Sequence, residues 1–374
     1  MDVALYAGSG LFAAITAVSS TLAPHRAWGA IAVWGYAVAT LAALTRRARV
    51  AVTGLAWVAT ALVPIVLLAQ DRLAQEEVVV VERAGQRLLD TGTPYLDRDT
   101  IAALPDKLLG YVPYQPGMAL FGLPRALVGT VWWTDARVWF AAVTAAVLAA
   151  AVVTLGRFEL RAVQVVTVFA MAALTLATGG DDLPVLVLCL LALALAARDR
   201  LGAAGLAVGA AAALKLFAWP VALVLAVHAA TKRRAGRFIA GALGLPLLAL
   251  VPALIVDAGA VVENVLRFPF GRGLVTSPAQ SPLPGHLIAT ALPGGRVIAA
   301  ALLVAAGGAI AVWLWRRPPR TAADAAKICG YGLLAAILLL PSTRFGYLLY
   351  PVAFAVWVPA LARIPPKSDA EAYT

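Results

Sequence analysis

AVTGLAWVATALVPIVLLAQDRLAQEEVVVVERAGQRLLDTGTPY, residues 51–95, changes character abruptly in its middle. Residues 51–69 carry no charge and are long enough to cross a bilayer as one helix. The residues from Gln70 onward are rich in carboxylates and arginines, and their apolar members recur at helical spacing. TGTP at 91–94 ends that pattern, because Gly favours a helix C-terminus and Pro cannot continue the turn. The stretch therefore predicts a membrane-spanning helix followed directly by an amphipathic helix over 76–92.

The rest of the chain shares the apolar character of this first span. The 374 residues are 62% hydrophobic and 13% charged, whereas an ordinary globular domain is about a quarter charged. Apolar runs of spanning length are continuous rather than alternating, which favours helices over a transmembrane β-barrel. MDVALYAGSG lacks the basic n-region of a signal peptide, so we expect a retained first helix. Cys189 and Cys329 form neither a metal-binding spacing nor a disulfide framework. The composition predicts an all-α polytopic membrane protein.

Hydropathy and charge together predict how the chain crosses the bilayer. The net charge of +11 comes from short basic loops, where the positive-inside rule puts Lys and Arg, and so does not indicate nucleic acid. If these loops are cytoplasmic, both termini are inside and 70–136 lies outside. The basic loops are 46–49, 157–161, 198–200, 232–237, 316–320 and 363–367. The candidate spans are 3–22, 27–45, 51–69, 137–156, 162–178, 183–197, 203–230, 237–257, 297–315, 325–341 and 345–363.

One apolar segment, residues 202–230, is flanked by basic loops on both sides and is expected to leave and re-enter the same face. At about 1.5 Å per residue it is too short for two full spans, so it predicts two half-length helices that meet near Lys215. One long tilted helix is the alternative. The hairpin leaves two long outer loops, 70–136 and 258–296, and two short ones containing GGDDLP and PSTR. We expect a single transmembrane domain, 1–374, with its chemistry in these outer loops.

Two adjacent carboxylates, Glu76 and Glu77, stand where the third span ends and the amphipathic helix begins. A partly desolvated carboxylate at this place can serve as a general base. An acidic pair at a helix N-terminus is also favoured by the helix dipole, and the residues alone leave both interpretations open. Further along the same helix, Glu82 shares the polar face with Gln86 and Asp90, and the helical spacing turns it away from Glu77.

Three blocks in a fixed order resemble a known family. Residues 77–95 read E-V-V-V-V-E-R-A-G-Q-R-L-L-D-T-G-T-P-Y, and residues 111–116 read Y-V-P-Y-Q-P. Residues 179–220 read GGDDLPVLVLCLLALALAARDRLGAAGLAVGAAAALKLFAWP. This order resembles family 87 glycosyltransferases, the polyprenol-phosphate-mannose-dependent mannosyltransferases of actinobacteria, in the C-type glycosyltransferase superfamily. The family motif D-x-x-V-Y-x-x-A-x-x-x-L-L-x-G-x-x-x-Y has Asp where this chain has Glu77, and the resemblance covers most of 70–230.

The resemblance implies a C-type bundle of about 11–12 transmembrane helices, with an interfacial helix in the first long outer loop. It also implies a reaction in which a sugar, expected to be mannose, moves from a polyprenyl-phosphate donor to a lipid or glycan acceptor. The transfer is expected at the outer face of the cytoplasmic membrane, with inversion. Such a transfer needs a base for the acceptor hydroxyl and positive charge for the phosphate. By its place in the motif Glu77 is the expected base, with Glu76 next.

The expected substrate-binding residues are tyrosines of the first outer loop, an acidic pair in the GGDDLP loop, and cations. In the superfamily a second acidic loop often binds substrate or metal, although the pair also fits a plain outer loop. Lys215 is costly to bury without an anion, although its stem also allows snorkelling. Outer arginines run against the positive-inside trend, and a lipid phosphate would give them a partner. The full set is Tyr95, Tyr111, Tyr114, Asp181, Asp182, Lys215, Arg267, Arg272, Gln280, His286 and Arg344.

No Walker loop, GxGxxG turn or HExxH motif can be placed on the chain. The sequence identifies no cofactor, and it leaves open a divalent metal at the acidic pair. The expected partners are a polyprenyl-phosphate sugar, a glycolipid or glycan acceptor and the lipid bilayer, without nucleic acid. A polytopic layout with a broken hairpin and a buried lysine also fits a transporter or flippase of a lipid-linked or small anionic substrate. An inactive scaffold of the same fold is a third interpretation.

Overall fold

The computed structural model describes residues 2–45 and 48–364 of the chain. Arg46, Arg47 and Lys367, which belong to the basic loops above, lie outside the described residues. Helix makes up 79% of the structure, and the described residues contain no β-strand. The all-α polytopic class predicted from composition is confirmed.

The described residues contain eighteen α-helices. The first nine are α1 (Asp2–Ser19), α2 (Ala23–Leu44), α3 (Arg49–Trp57), α4 (Val63–Gln70), α5 (Glu76–Thr91), α6 (Arg98–Ala103), α7 (Leu123–Val128), α8 (Ala136–Leu155) and α9 (Leu160–Thr167). The other nine are α10 (Ala170–Thr178), α11 (Asp182–Ala197), α12 (Leu201–Leu214), α13 (Trp219–Thr231), α14 (Ala235–Val261), α15 (Pro284–Ala291), α16 (Gly295–Arg316), α17 (Ala322–Leu339) and α18 (Leu349–Ala362). π-helical turns continue two of these helices, one between α3 and α4 and one after α14.

The chain is a multi-pass membrane protein. Within the described part, eight helical segments are long and apolar enough to cross a membrane, or up to nine if α9 and α10, bent by 44°, make one span. Three further apolar helices, α11 to α13, are shorter than the roughly 20 residues that a span needs. The count from the sequence was higher because it included these short helices. The eight segments are Asp2–Ser19, Ala23–Leu44, Arg49–Gln70, Ala136–Leu155, Ala235–Arg267, Gly295–Arg316, Ala322–Leu339 and Phe345–Ala362.

The chain divides into two compact units, each assembled from separate stretches of sequence. The first unit comprises the described residues of Met1–Pro94, Met118–Ala146 and Glu159–Pro184. The second unit comprises the described residues of Tyr95–Gly117, Val147–Phe158 and Val185–Thr374. The first long loop, 70–136, therefore contributes to both units, and its candidate residues are divided between them.

The amphipathic helix predicted over 76–92 is present as α5, and its apolar face packs inside the first unit. Val78 and Val81 are buried on that face. Gly85 approaches the backbone of Gly122 so closely that a Cβ added to Gly85 would lie 2.4 Å from the carbonyl carbon. The helix ends at Gly92, whose φ of +78° lies in the left-handed region that favours glycine. The position of α5 at a membrane interface stays a prediction.

The apolar segment around Lys215 forms two helices rather than one. α12 ends directly before Lys215, whose backbone is extended with φ −152° and ψ 144°. A 3₁₀ turn, Leu216–Ala218, follows, and α13 begins at Trp219. Pro220 stands in the first turn of α13, where its missing N–H costs no hydrogen bond. That the two helices enter and leave at one membrane face stays a prediction.

Candidate active site

Two acidic segments of the first unit meet at a backbone hydrogen bond. The N–H of Gln75 donates to the carbonyl oxygen of Thr178 at 2.9 Å. Gln75 directly precedes the carboxylate pair at the start of α5, and Thr178 ends the helix before the GGDDLP loop. The expected base Glu77 and the acidic residues Asp181 and Asp182 therefore belong to neighbouring backbone segments of the first unit.

The carboxylates of this acidic region differ in their exposure to solvent. Glu76 is exposed, Glu77 is half-buried, and both Asp181 and Asp182 are buried. The side-chain amide of Gln75 contacts both α2 and the GGDDLP loop. Its nitrogen hydrogen-bonds the ring of His25, and its oxygen approaches Gly179. Of the two glutamates at the start of α5, Glu77 is therefore the one that is partly withdrawn from solvent.

A buried ion pair contacts the backbone of both acidic segments. Asp135 and Arg137 are 3% and 0% exposed, and Arg137 Nη2 and Nε donate to the Asp135 carboxylate at 2.7 and 2.8 Å. Arg137 Nη1 also donates to the carbonyl oxygens of Leu73 at 2.7 Å and Ala177 at 3.2 Å. Neither Asp135 nor Arg137 was among the site residues expected from the sequence. The available signal was an arginine at the edge of an apolar run, which demands partners.

Glu82 does not face water as its place on the polar face of α5 suggested. Its side chain is only 10% exposed, and it accepts hydrogen bonds from Arg125 at 2.8 Å and from the N–H of Ala136 at 3.1 Å. Burial, reinforced by the charge of Asp135, raises the pKa of Glu82 to about 7, against the opposing effect of Arg125. The start of α8 covers this face, and helical periodicity cannot show what covers a face.

In the second unit, Lys215 is buried among aromatic rings. It is 7% exposed, and its Nζ lies 5.3 Å from the ring centroid of Tyr114 and 5.5 Å from that of Tyr347. Phe217 continues the aromatic wall, with its ring centroid 4.7 Å from Tyr347 and 5.4 Å from Tyr350. An ammonium group held over ring faces is partly compensated for its lost hydration and remains attractive to an anion.

The YVPYQPG block is fixed to the break in the α12–α13 segment. The N–H of Gln115 donates to the carbonyl oxygen of Leu214 at 3.0 Å, and Gly117 packs against the backbone of Ala213. Tyr95 donates its hydroxyl to the carbonyl oxygen of Tyr114 at 2.8 Å, and burial raises the pKa of Tyr95. The structure thus brings Tyr95, Tyr114 and Lys215, all expected substrate-binding residues, into one part of the second unit.

Glu263 gathers three side chains of the second unit. It is 1% exposed and accepts from the hydroxyl of Tyr111 at 2.8 Å, from Arg98 at 2.8 Å and from Arg267 at 3.4 Å. Tyr111 also stacks on Phe268, with ring centroids 4.1 Å apart. Two expected substrate-binding residues, Tyr111 and Arg267, therefore have a protein carboxylate as a partner. Sequence reasoning missed Glu263, although its spacing of four residues from Arg267 was a readable signal.

The remaining expected residues lie in two loops of the second unit that contact each other. Gln280 is exposed, and its backbone forms an isolated parallel bridge with Thr343. His286 Nδ1 lies 3.0 Å from the carbonyl oxygen of Pro341. Arg344 is half-buried, and its carbonyl accepts from the N–H of Tyr347, whose ring lies near Lys215 Nζ. Arg272 is exposed, and its carbonyl accepts from Arg98 at 3.4 Å.

The described acidic residues of the first unit do not form a metal site by themselves. Across residues 2–45 and 48–364, no group of three or more His, Cys, Asp or Glu side chains is arranged to hold a metal ion. Asp181 and Asp182 would therefore need substrate or water oxygens to complete a coordination shell for a divalent cation.

Comparison with known proteins gives one match. The model of glycosyltransferase family 87 matches residues 111–343, which include the YVPYQPG block, Asp181 and Asp182, Lys215 and Glu263. No curated protein and no solved structure matches the chain. The match begins after Glu76 and Glu77, so their roles rest on the resemblance of the segment before it. Because the matched residues make up more than half of the sequence, the chain belongs to glycosyltransferase family 87.

Proposed function

We propose that this membrane glycosyltransferase transfers mannose from a polyprenyl-phosphate donor to a hydroxyl of a lipid or glycan acceptor, at the outer face of the cytoplasmic membrane and with inversion. Family membership supports glycosyl transfer and argues against the transporter alternative. The observation that supports the mechanism is the hydrogen bond between Gln75 and Thr178, because it joins the segment before Glu77 to the segment before Asp181 in one unit. Both loops were assigned to the outer face from the basic-loop pattern.

In this mechanism Glu77 is the general base. The acceptor oxygen attacks C1 of the sugar while its proton passes to the Glu77 carboxylate. The bond between C1 and the phosphate oxygen breaks, and the polyprenyl phosphate leaves with the electron pair. Attack opposite the leaving group inverts the anomeric centre. Glu77 is preferred over Glu76 because it is half-buried at the start of α5, whereas Glu76 is exposed.

The remaining residues have binding roles. Lys215 is assigned to the donor phosphate, because a buried ammonium group over aromatic faces attracts an anion. Tyr114 offers a ring face to a sugar or prenyl group. Asp181 and Asp182 are assigned to hydroxyl groups of the sugars. Arg344 follows Thr343, which forms the bridge with Gln280, and is assigned as the second cation for the donor phosphate.

The donor is tested with the full chain purified into lipid nanodiscs. Radiolabelled polyprenyl-phosphate mannose and GDP-mannose are supplied in parallel with a mixed glycolipid acceptor fraction. We expect label transfer from the lipid donor and none from the nucleotide donor, and an inverted anomeric configuration in the product by NMR. Transfer from the nucleotide donor alone would contradict the proposal.

The base is tested in the same assay by Glu77→Gln, which keeps the size of the side chain and removes its basicity. We expect turnover to fall at least about 100-fold, the usual range for loss of a general base. Asp90→Asn is the matched control, because Asp90 is an exposed carboxylate on the same helix. A loss with Glu76→Gln instead would move the role to Glu76, and full turnover of both glutamine variants would remove the acidic pair from the mechanism.

A further inference from the structure

In the first unit, charged side chains connect the start of α8 both to α5 and to the segment that leads into α5. Glu82 on α5 accepts from the N–H of Ala136, the first residue of α8. One residue later Arg137 returns toward the start of α5 and donates to the carbonyl oxygen of Leu73. These two contacts therefore attach the start of α8 to α5 and to the segment that leads into α5.

Arg137 also reaches the second acidic segment. Its Nη1 donates to the carbonyl oxygen of Ala177, the residue before Thr178. Leu73 lies two residues before Gln75, so the guanidinium group binds both strands of backbone that the Gln75–Thr178 hydrogen bond joins. Asp135 fixes the guanidinium plane with two hydrogen bonds, at 2.8 and 2.7 Å. One side chain thus contacts both the segment that leads to Glu77 and the segment that leads to Asp181.

We propose that Asp135 and Arg137 are positioning residues, which set the separation of the Glu77 and Asp181 segments through Leu73 and Ala177. The inference rests on the proposed function of Glu77. A fully buried ion pair is poor evidence for stability alone, because a well-packed apolar replacement is often equally stable. What an apolar replacement cannot supply is a rigid fork of donors aimed at two carbonyl groups. Displacement of a catalytic group by about 1 Å can cost about 100-fold in rate.

The test compares turnover with binding in the full-length protein. The double variant Asp135→Asn with Arg137→Met removes both buried charges, so no unpaired charge is left behind. The asparagine oxygen still accepts from the N–H of residue 137, as the Asp135 carboxylate does at 3.0 Å. We expect kcat per folded molecule to fall about 10- to 100-fold while the donor KM changes less than about twofold.

Arg198→Met is the matched control. Arg198 also donates to two backbone carbonyls, those of Thr154 and Leu155 at 3.0 and 2.6 Å, and both lie in the second unit. Its kcat per folded molecule is expected to equal that of the wild type. The conservative variant Arg137→Lys keeps the buried charge and replaces the double variant should that variant not fold. It too is expected to lower kcat and leave KM unchanged.

A second readout does not depend on activity. Hydrogen exchange of the Gln75 amide, which donates to Thr178, is expected to accelerate in the Asp135/Arg137 variants and not in Arg198→Met. Glu77→Gln is run beside them. If Glu77→Gln is inactive while the folded double variant turns over normally, this inference is overturned and the base assignment stands. Full turnover of Glu77→Gln overturns the base assignment, and equal losses in the double variant and Arg198→Met overturn the positioning role.

Discussion

In each unit a buried charged side chain binds segments that are distant in sequence, and the partners of the two side chains differ in burial. In the first unit Arg137 and its partner Asp135 are both buried, and two further acceptors are backbone carbonyls. In the second unit Glu263 is 1% exposed, but the side chains of its partners Arg98 and Arg267 are 42% and 55% exposed. Water can replace a partner at the second centre and cannot reach the first. Burial of both partners therefore decides how much free energy of unfolding is lost when an ion pair is broken.

The largest effect on stability is expected from Arg137→Ala. The variant leaves the Asp135 carboxylate buried without its guanidinium partner, and breaking such a pair costs about 3–5 kcal/mol. The free energy of unfolding, measured in mixed micelles, should fall by that amount. The double variant Asp135→Asn with Arg137→Met should recover most of it. Equal destabilisation by the single and double variants would show that the lost charge compensation is not the cause.

A smaller loss is expected from Glu263→Gln. The glutamine oxygen keeps the hydrogen bond from Tyr111, while both arginines lose a charged acceptor and turn to water. Charge-assisted hydrogen bonds contribute about 1.5–3 kcal/mol, so unfolding free energy should fall within that range. Tyr111→Phe, which removes the neutral donor to Glu263 and the hydroxyl that accepts from the N–H of Leu274, serves as the reference. A loss as large as that of Arg137→Ala would contradict the contrast between the two centres.

A loss of stability with rising pH is expected from Glu82. Its folded pKa of about 7 lies above the unfolded value of about 4.3, so the folded state binds the proton more tightly between these values. This contribution to stability is complete below pH of about 4.3 and is lost as the pH rises through about 7. Thermal midpoints should therefore fall across that window in the wild type. The same slope in Glu82→Gln would show that another group is responsible.

The smallest effect is expected from Arg267→Gln. Its ion pair with Glu263 is 3.4 Å long and more than half exposed on the arginine side, and such pairs contribute about 0–1 kcal/mol. Unfolding free energy should hardly change, whereas donor KM tests the role predicted from its charge. An unchanged KM would show that Arg267 pairs with Glu263 and does not bind the donor. A rise of tenfold or more would show that it contacts the donor phosphate.

Local features of the fold were predictable from the sequence where one segment carries its own signal. The apolar spacing and the Gly-Thr-Pro stop predicted α5, because period and terminator are both local. The charge of Lys215 in an apolar run located the break between α12 and α13. The sequence counted eleven apolar segments, and three helices in these segments are shorter than a full span, because hydropathy does not show where a helix ends within an apolar run. Eight or nine spans remain in the described part.

The site was less predictable because its contacts join distant residues. Glu82 was assigned to the polar face correctly, yet nothing in its neighbourhood shows that α8 begins against it. The acceptors of Arg137 are backbone carbonyls 64 and 40 residues away, and a carbonyl has no sequence signature. Arg267 was read as a phosphate ligand from the charge bias, while its partner Glu263 stands one helical turn earlier.

The most direct measurement of the central claim, that Glu77 acts as the base, uses azide with Glu77→Ala. Azide attacks C1 without losing a proton, so it needs no base, while polyprenyl phosphate leaves with the electron pair. The account predicts that Glu77→Ala has lost transfer to hydroxyl acceptors but forms a mannosyl azide of inverted configuration from polyprenyl-phosphate mannose. Loss of both reactions, or retention of hydroxyl transfer, would contradict it.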